Sequence, residues 1–381
     1  MKNISLKTKE TLNRYIKRLM SDSTPDAPMW NIESIKSGKA AAWNYIDGCM
    51  MTSLLNLYSL NHDQTYFDFV DNFIDYYVYE DGSIRGYDKE TYNLDNINEG
   101  RVLFDLYKAT KKEKYLKAIN LLYSQLENQP RTKEGNFWHK AIYPNQLWLD
   151  GLYMAQPFYT LYALNYNSSL LDDILHQFNN VYNIMFDKEK HLYYHGYDAE
   201  RLMFWADKET GLSKSFWLRS IGWYTVALID VYDFLKDNPQ NESIKEIFKK
   251  TIDGLLEYED KEKHMFYQVV DQGDKEGNYL ESSGSSMVAY AILKGVRLGV
   301  LDASYKDVGL DIFQGICDAY LSEEDGKLNL DGICLSAGLG PSNNLKRDGT
   351  FAYYISEPVV KNDAKGVGPL IMAYIEVLRA E

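Results

Sequence analysis

Cysteine is scarce: only Cys49, Cys317 and Cys334 occur in 381 residues, odd in number and far apart. That excludes a disulfide framework and leads one to expect free thiols in a reducing compartment. Proline is also scarce, at nine, and no Ser/Gly-rich or charge-block stretch separates two halves. No apolar run approaches the roughly 18 residues of a spanning helix. The opening MKNISLKTKETLNRYIKRLM has charges every few residues and no apolar core, so no secretory signal is expected and the expected location is the cytoplasm. Positive charge is in deficit: Lys+Arg 41 against Asp+Glu 55 leaves −14. Such a surface argues against nucleic acid, an anionic membrane or a long polyanion as partner. Also missing are GxxxxGK[ST], GxGxxG after a strand, CxxC, GxSxG and HExxH. Nucleotide, zinc-ribbon, serine-hydrolase and metalloprotease chemistry therefore lack their residues. His191 and His195 are four apart, but HLYYHGYD ends in glycine, which favours solvent-facing or substrate-binding histidines over metal ligands. No metal and no cofactor is expected.

Aromatic rings are abundant: Trp 7, Tyr 32 and Phe 15, or 14%. Flat amphipathic rings suit both a thick core and a sugar-binding cleft. Helical periodicity recurs from end to end, predicting helices near 5–20, 40–60, 63–79, 95–110, 113–128, 148–163, 168–185, 214–236, 242–257, 280–297, 303–321 and 364–380. These form six successive pairs. The first members are amphipathic, as in EKYLKAINLLYSQLEN at 113–128. The second members open with aromatic, charged and glycine residues, such as Trp43/Tyr45/Gly48, Trp148/Asp150/Gly151 and Trp217/Arg219/Gly222. Alternation of that kind predicts an all-α ring of six helical hairpins, its inner helices pointing their N-termini at one mouth, with residues 1–381 as a single unit. An open solenoid would share the period, but it calls for atypical capping repeats and none is visible.

Carboxylates are the remaining candidates for chemistry. Asp95, in YNLDNIN, and Asp150, in QLWLDGLYM, both fall in the first turn of a predicted inner helix. An aspartate there often only complements the helix dipole. Aromatic neighbours and a shared mouth favour the other role, a carboxyl whose pKa is raised by desolvation and by a second carboxylate until it serves as a general acid. Trp43, Trp138, Trp148, Trp217 and Trp223 are either core or sugar platform. With Arg219, His139 and His195 they suit a clamp for a sugar carboxylate.

YNLDNINEG, PRTKEGNFWHK, YPNQLWLDGLYMAQPF, HGYD, FWLRSIGWY, GNYLESSGSSM and YYISEPVVKNDAKGVG, in that order, resemble the successive motifs of the unsaturated rhamnogalacturonyl hydrolases, glycoside hydrolase family 105. The resemblance runs from about Trp43 to Gly368 and implies an (α/α)6 barrel. It also implies hydration of the vinyl ether in a 4,5-unsaturated uronic acid left by pectin lyases. Asp150 would protonate carbon 4, water would add at carbon 5, and the resulting hemiketal would open and expel the neighbouring sugar. Asp95 matches the family's second aspartate. Trp43, Tyr45, His139, Trp148, His195, Trp217, Arg219 and Trp223 match positions lining the pocket. Asn44 stands where relatives often carry histidine. The implied partner is a small unsaturated uronic-acid oligosaccharide of the galacturonyl-rhamnose type, with one carboxylate. Rivals are an unsaturated glucuronyl hydrolase, an N-acyl sugar epimerase using histidines, and a non-catalytic carbohydrate-binding scaffold.

Overall fold

Which helices line the ring and which wrap it follows from how apolar each is around its circumference. In the computed structural model, which describes residues 4–380, the amphipathic helices bury one stripe and the uniformly apolar ones are buried all round. Along the chain run α1 (Leu6–Ser21), α2 (Ile32–Ser37), α3 (Tyr45–Asn61), α4 (Gln64–Tyr77), α5 (Asp95–Asn98), α6 (Val102–Thr110) and α7 (Glu113–Glu127). There follow α8 (Asp150–Tyr166), α9 (Leu171–Met185), α10 (Leu218–Phe234), α11 (Glu242–Leu256), α12 (Ser282–Arg297), α13 (Tyr305–Tyr320), α14 (Phe351–Ser356) and α15 (Ala364–Arg379). Helix α7 buries Tyr115, Ala118, Ile119, Leu122 and Leu126 as a stripe. Helix α10 buries every residue from Leu218 to Val231.

The inner ring is α3, the α5–α6 segment, α8, α10, α12 and α15, each packed on the next, and α15 returns to α3. Outside it lie α1, α4, α7, α9, α11 and α13. Contacts between the chain ends complete the outer layer, with Tyr374 Oη of α15 reaching Asn13 Oδ1 of α1 at 3.2 Å. The fold is therefore an (α/α)6 barrel, as the six pairs predict. Close approach at the mouth uses glycine: a Cβ on Gly48 would stand 2.9 Å from Asn98 Oδ1 and from Glu99 Cα.

Loops between the helices carry short strands that the sequence pattern does not foretell: β1 (Gln146–Trp148), β2 (Phe186–Asp187), β3 (Leu192–Tyr193), β4 (Gly196–Asp198), β5 (Leu321–Glu324), β6 (Lys327–Leu330), β7 (Ile333–Cys334) and β8 (Val359–Val360). They form four antiparallel pairs, β1 with β4, β2 with β3, β5 with β6 and β7 with β8. Two to four residues are too few for alternation to register. They also correct helix starts. Trp148 belongs to β1, so α8 begins at Asp150, and Trp217 is extended against Val269, so α10 begins at Leu218. The helix expected over 95–110 is interrupted by a tighter 3-10 turn, Glu99–Arg101. Among the described residues no helix is long and apolar enough to cross a membrane.

Candidate active site

The first residue of α8 is placed by a strand pair. Register Gln146 to Asp198, Leu147 to Tyr197 and Trp148 to Gly196 sets β1 on β4, and Leu149 N donates to His195 O at 2.9 Å. This brings Asp150 against His195, whose Nε2 lies 3.0 Å from Asp150 Oδ2. His195 is fully buried and its Nδ1 is 2.7 Å from Tyr354 Oη. Trp217 at 4.7 Å and Trp148 at 5.6 Å between ring centroids wall the imidazole in. The Asp150 side chain makes no capping bond to its own helix. Among the described residues it has no Lys or Arg partner, and His195 is its ionisable neighbour.

Asp95, the first residue of α5, likewise leaves its helix uncapped, but its surroundings differ. Lys140 Nζ is 2.5 Å from Oδ2 and His139 Nε2 is 3.3 Å from Oδ1. Burial pushes this carboxyl up, and the Lys140 and His139 charges outweigh it, holding Asp95 well below the usual carboxylate range. Its negative charge is thus matched locally by Lys140 and His139. His139 stacks on Trp148 at 4.6 Å, which also stacks on Tyr143 at 4.5 Å. One continuous cluster therefore joins the two aspartates.

Arg219 lies in the first turn of α10, 1% exposed. Its Nη1 donates to Cys334 O and its Nη2 to Leu335 O at 3.4 Å, while Nε has no partner. No carboxylate among the described residues forms an ion pair with it. The nearby acid, Glu281, is engaged elsewhere: it caps α12 through Gly284 N at 2.7 Å and accepts from Ser283 Oγ and Cys334 N. Glu281 thus plays the capping role that Asp95 and Asp150 do not.

Trp217 stands beside Tyr354 and anchors its indole N–H on Gln268 Oε1 at 3.1 Å. Trp223 is deeper, stacked at 4.3 Å on Tyr153, with Tyr45 edge-on at 6.3 Å. Trp43 is 2% exposed, donates to Asn96 O at 2.8 Å and packs on Tyr77, so it braces the start of α5 at the mouth's edge. His191 is on the outside, paired with Glu257 at 2.8 Å. Sequence reasoning gave no role to Lys140, Tyr354, Tyr143 or Gln146, which donors and rings from other loops bring to the acids. The only signal was that each sits within or beside a motif already singled out.

A closed helical ring with acids, a buried histidine and stacked indoles at one mouth defines a carbohydrate-active enzyme of the (α/α)6-barrel class. The profile of Glycosyl Hydrolase Family 88 matches residues 15–381. A solved family 105 glycoside hydrolase from C. acetobutylicum ATCC 824 superposes with a TM-score of 0.89 at 40% identity, over 97% of this chain and 99% of that one. The chain belongs to this glycoside hydrolase family and is a glycoside hydrolase. A 24.9 kDa protein in the picA locus of Rhizobium radiobacter is 38% identical over 214 residues, 55% of this chain and 91% of that protein. The unsaturated rhamnogalacturonyl hydrolase YesR of Bacillus subtilis is 24% identical over 296 residues, 76% of this chain and 78% of that one.

Proposed function

We propose that the protein hydrolyses 4,5-unsaturated uronyl disaccharides or short oligosaccharides of the galacturonyl-rhamnose type by hydrating the vinyl ether. The observation that carries this is the contrast between the two aspartates: Asp95 is locked as a carboxylate by Lys140, whereas Asp150 faces only His195. The acid that can give up and regain a proton is the one no fixed cation holds. Asp150 delivers its proton to carbon 4 of the unsaturated ring, and the enol-ether electrons supply the new C–H bond. Water adds at carbon 5, losing a proton to the Asp150 carboxylate with His195 steadying it. The hemiketal then opens and releases the neighbouring sugar.

Arg219 is the proposed partner of the uronyl carboxylate, because a buried guanidinium resting on carbonyl oxygens gains most from a planar anion. Trp148 and Trp217 are proposed to wall the sugar, Tyr45, His139 and Trp223 to line the floor, and Trp43 to frame the edge. The Bacillus relative's activity supports the galacturonyl-rhamnose assignment, and the three buried free thiols suit a cytoplasmic enzyme that receives imported fragments. Following the double-bond absorbance of a panel of lyase-generated disaccharides tests the whole reading. Decay on the galacturonyl-rhamnose substrate is expected, faster decay on glucuronyl substrates would reassign the sugar, and none at all would leave only a carbohydrate-binding scaffold.

A further inference from the structure

Tyr354, in α14, is fixed at backbone and ring. Asp348 Oδ1 accepts from Thr350 N at 3.0 Å and from Thr350 Oγ1 at 2.7 Å, and Thr350 in turn caps α14 through Tyr353 N. Gln268 ties the helix to the start of α10: its Nε2 donates to Tyr354 O at 3.2 Å while its Oε1 accepts from Trp217 Nε1. The Tyr354 ring stacks on Trp217, with centroids 5.8 Å and planes 19° apart. Held in this way and fully buried, the side chain presents its hydroxyl to His195 Nδ1, at 2.7 Å.

The direction of that bond follows from the chemistry of a buried phenol. Burial, with Tyr353 and Asp150 nearby, pushes the Tyr354 hydroxyl well above the ordinary tyrosine range, so it keeps its hydrogen. Among the described residues His195 Nδ1 is the acceptor within its reach, and a buried hydroxyl left without one is costly. Tyr354 therefore donates and Nδ1 accepts. An imidazole that accepts at one nitrogen is neutral and carries its hydrogen on the other. Nε2–H then faces Asp150 Oδ2 at 3.0 Å. The two are close but not well aligned, as catalytic pairs often are ahead of the transition state.

The two oxygens of Asp150 are unequal in turn. Oδ2 is buried, and the 12% exposure left to the side chain lies on the side of Oδ1, which opens on the mouth. With a hydrogen already on Nε2, Oδ2 can only accept, and the proton of the carboxylic acid has to sit on Oδ1. We propose that Tyr354 is a positioning residue that fixes His195 as the Nε2–H tautomer and so confines the transferable proton of Asp150 to the oxygen that meets substrate. This rests on the vinyl-ether hydration proposed above. In that step the Oδ1–H bond breaks, the enol-ether pair forms the C–H bond at carbon 4, and the charge left on Asp150 spreads onto Oδ2, where Nε2–H meets it. Water adding at carbon 5 returns a proton to Oδ1, and neither His195 nor Tyr354 gains or loses one. Without the Tyr354 hydroxyl the imidazole hydrogen can move to Nδ1. Nε2 then becomes an acceptor and draws the acid's proton to Oδ2, away from the sugar.

The tautomer is read directly by nitrogen NMR of isotope-labelled wild type and Tyr354→Phe, with His195→Gln to pick out its signals among six histidines. Wild type is expected to show hydrogen on Nε2 and a bare Nδ1, and Tyr354→Phe to show hydrogen on Nδ1 in a substantial fraction. A wild-type His195 protonated on Nδ1, alone or together with Nε2, overturns the proposal, and so does an unchanged tautomer in Tyr354→Phe. On an unsaturated uronide, Tyr354→Phe should lose roughly ten- to a hundredfold in kcat with KM within about twofold. The double variant should be no slower than His195→Gln alone, because Tyr354 acts only through the imidazole. A raised KM at unchanged kcat, or losses that multiply, also overturns the proposal. The NMR measurement needs no substrate, so it decides the tautomer even if no uronide is turned over, an outcome that would remove the proposed function instead.

Discussion

The two ends of the barrel both bury charge, and they treat it differently. At the far end Asp230 of α10 accepts from Arg101 Nη2 at 2.7 Å, Lys294 Nζ at 2.8 Å and Tyr290 Oη at 2.6 Å, and Lys294 also reaches Asp233 at 3.1 Å. Burial pushes the Asp230 carboxyl up, but the Lys294 and Arg101 charges hold it well below the usual range. A cavity of about 180 Å³ adjoins this cluster. At the mouth, Asp150 lacks a fixed cation and Arg219 lacks a carboxylate. Both ends therefore bury charge, but the far end matches its carboxylate with two fixed cations, whereas the mouth leaves Asp150 with His195 alone and Arg219 on carbonyl oxygens, the arrangement on which the proposed function rests.

Asp150→Asn should break that contrast most visibly. It keeps the shape of the side chain but has no transferable proton, so turnover of an unsaturated uronide should fall by roughly two to four orders of magnitude with an unchanged circular-dichroism spectrum. Near-native turnover would place the acid elsewhere, and Glu281, as a cap with both oxygens engaged, would be a poor substitute.

Asp230→Asn tests the other end and should act on stability. Leaving Arg101 and Lys294 buried without their carboxylate should cost about 3–5 kcal/mol in denaturant unfolding, with activity of the folded protein retained. Because the folded Asp230 carboxyl lies below its unfolded value of about 3.9, its stabilisation is complete above that pH and lost on acidification through the folded value. Wild type should therefore lose stability on acidification more steeply than the variant. Lost turnover at full stability would mean that the far end participates in the reaction.

Arg219→Lys sharpens the comparison within the mouth. An ammonium cannot reproduce the fork, so KM should rise roughly tenfold or more while kcat changes less. An unchanged KM removes the carboxylate role.

The smallest effect concerns Asp47 on α3, which is buried and accepts from Trp30 Nε1 at 2.7 Å. Burial pushes its carboxyl up to about 7. A raised folded value means that its contribution to stability is complete below the unfolded value of about 3.9 and is lost as pH rises through about 7. Asp47→Asn should flatten that slope, by a few degrees in Tm between acidic and neutral pH. An unaltered slope would show that another acid carries it, and Glu99, pushed up by burial and by Asp47, would be next.

Much of this molecule is legible in its residues. The difference between EKYLKAINLLYSQLE, with one apolar stripe, and LRSIGWYTVALIDVYDF, apolar nearly all round, assigns outer and inner layers before any coordinate is known. Helices repeat over many turns, so their period survives local noise, and six pairs suffice to imply a closed ring. Asp95 and Asp150 stand out as acids among aromatic residues at helix starts. What only tertiary structure decides is which charge meets which partner. Lys140 lies 45 positions from Asp95 and Tyr354 lies 159 from His195, and those meetings depend on loops and two-residue strands that leave no periodic trace. The sequence names the two carboxylates; their partners tell them apart, Lys140 and His139 beside Asp95 and His195 beside Asp150, because long-range contacts decide which charges come within a few ångströms of an acid.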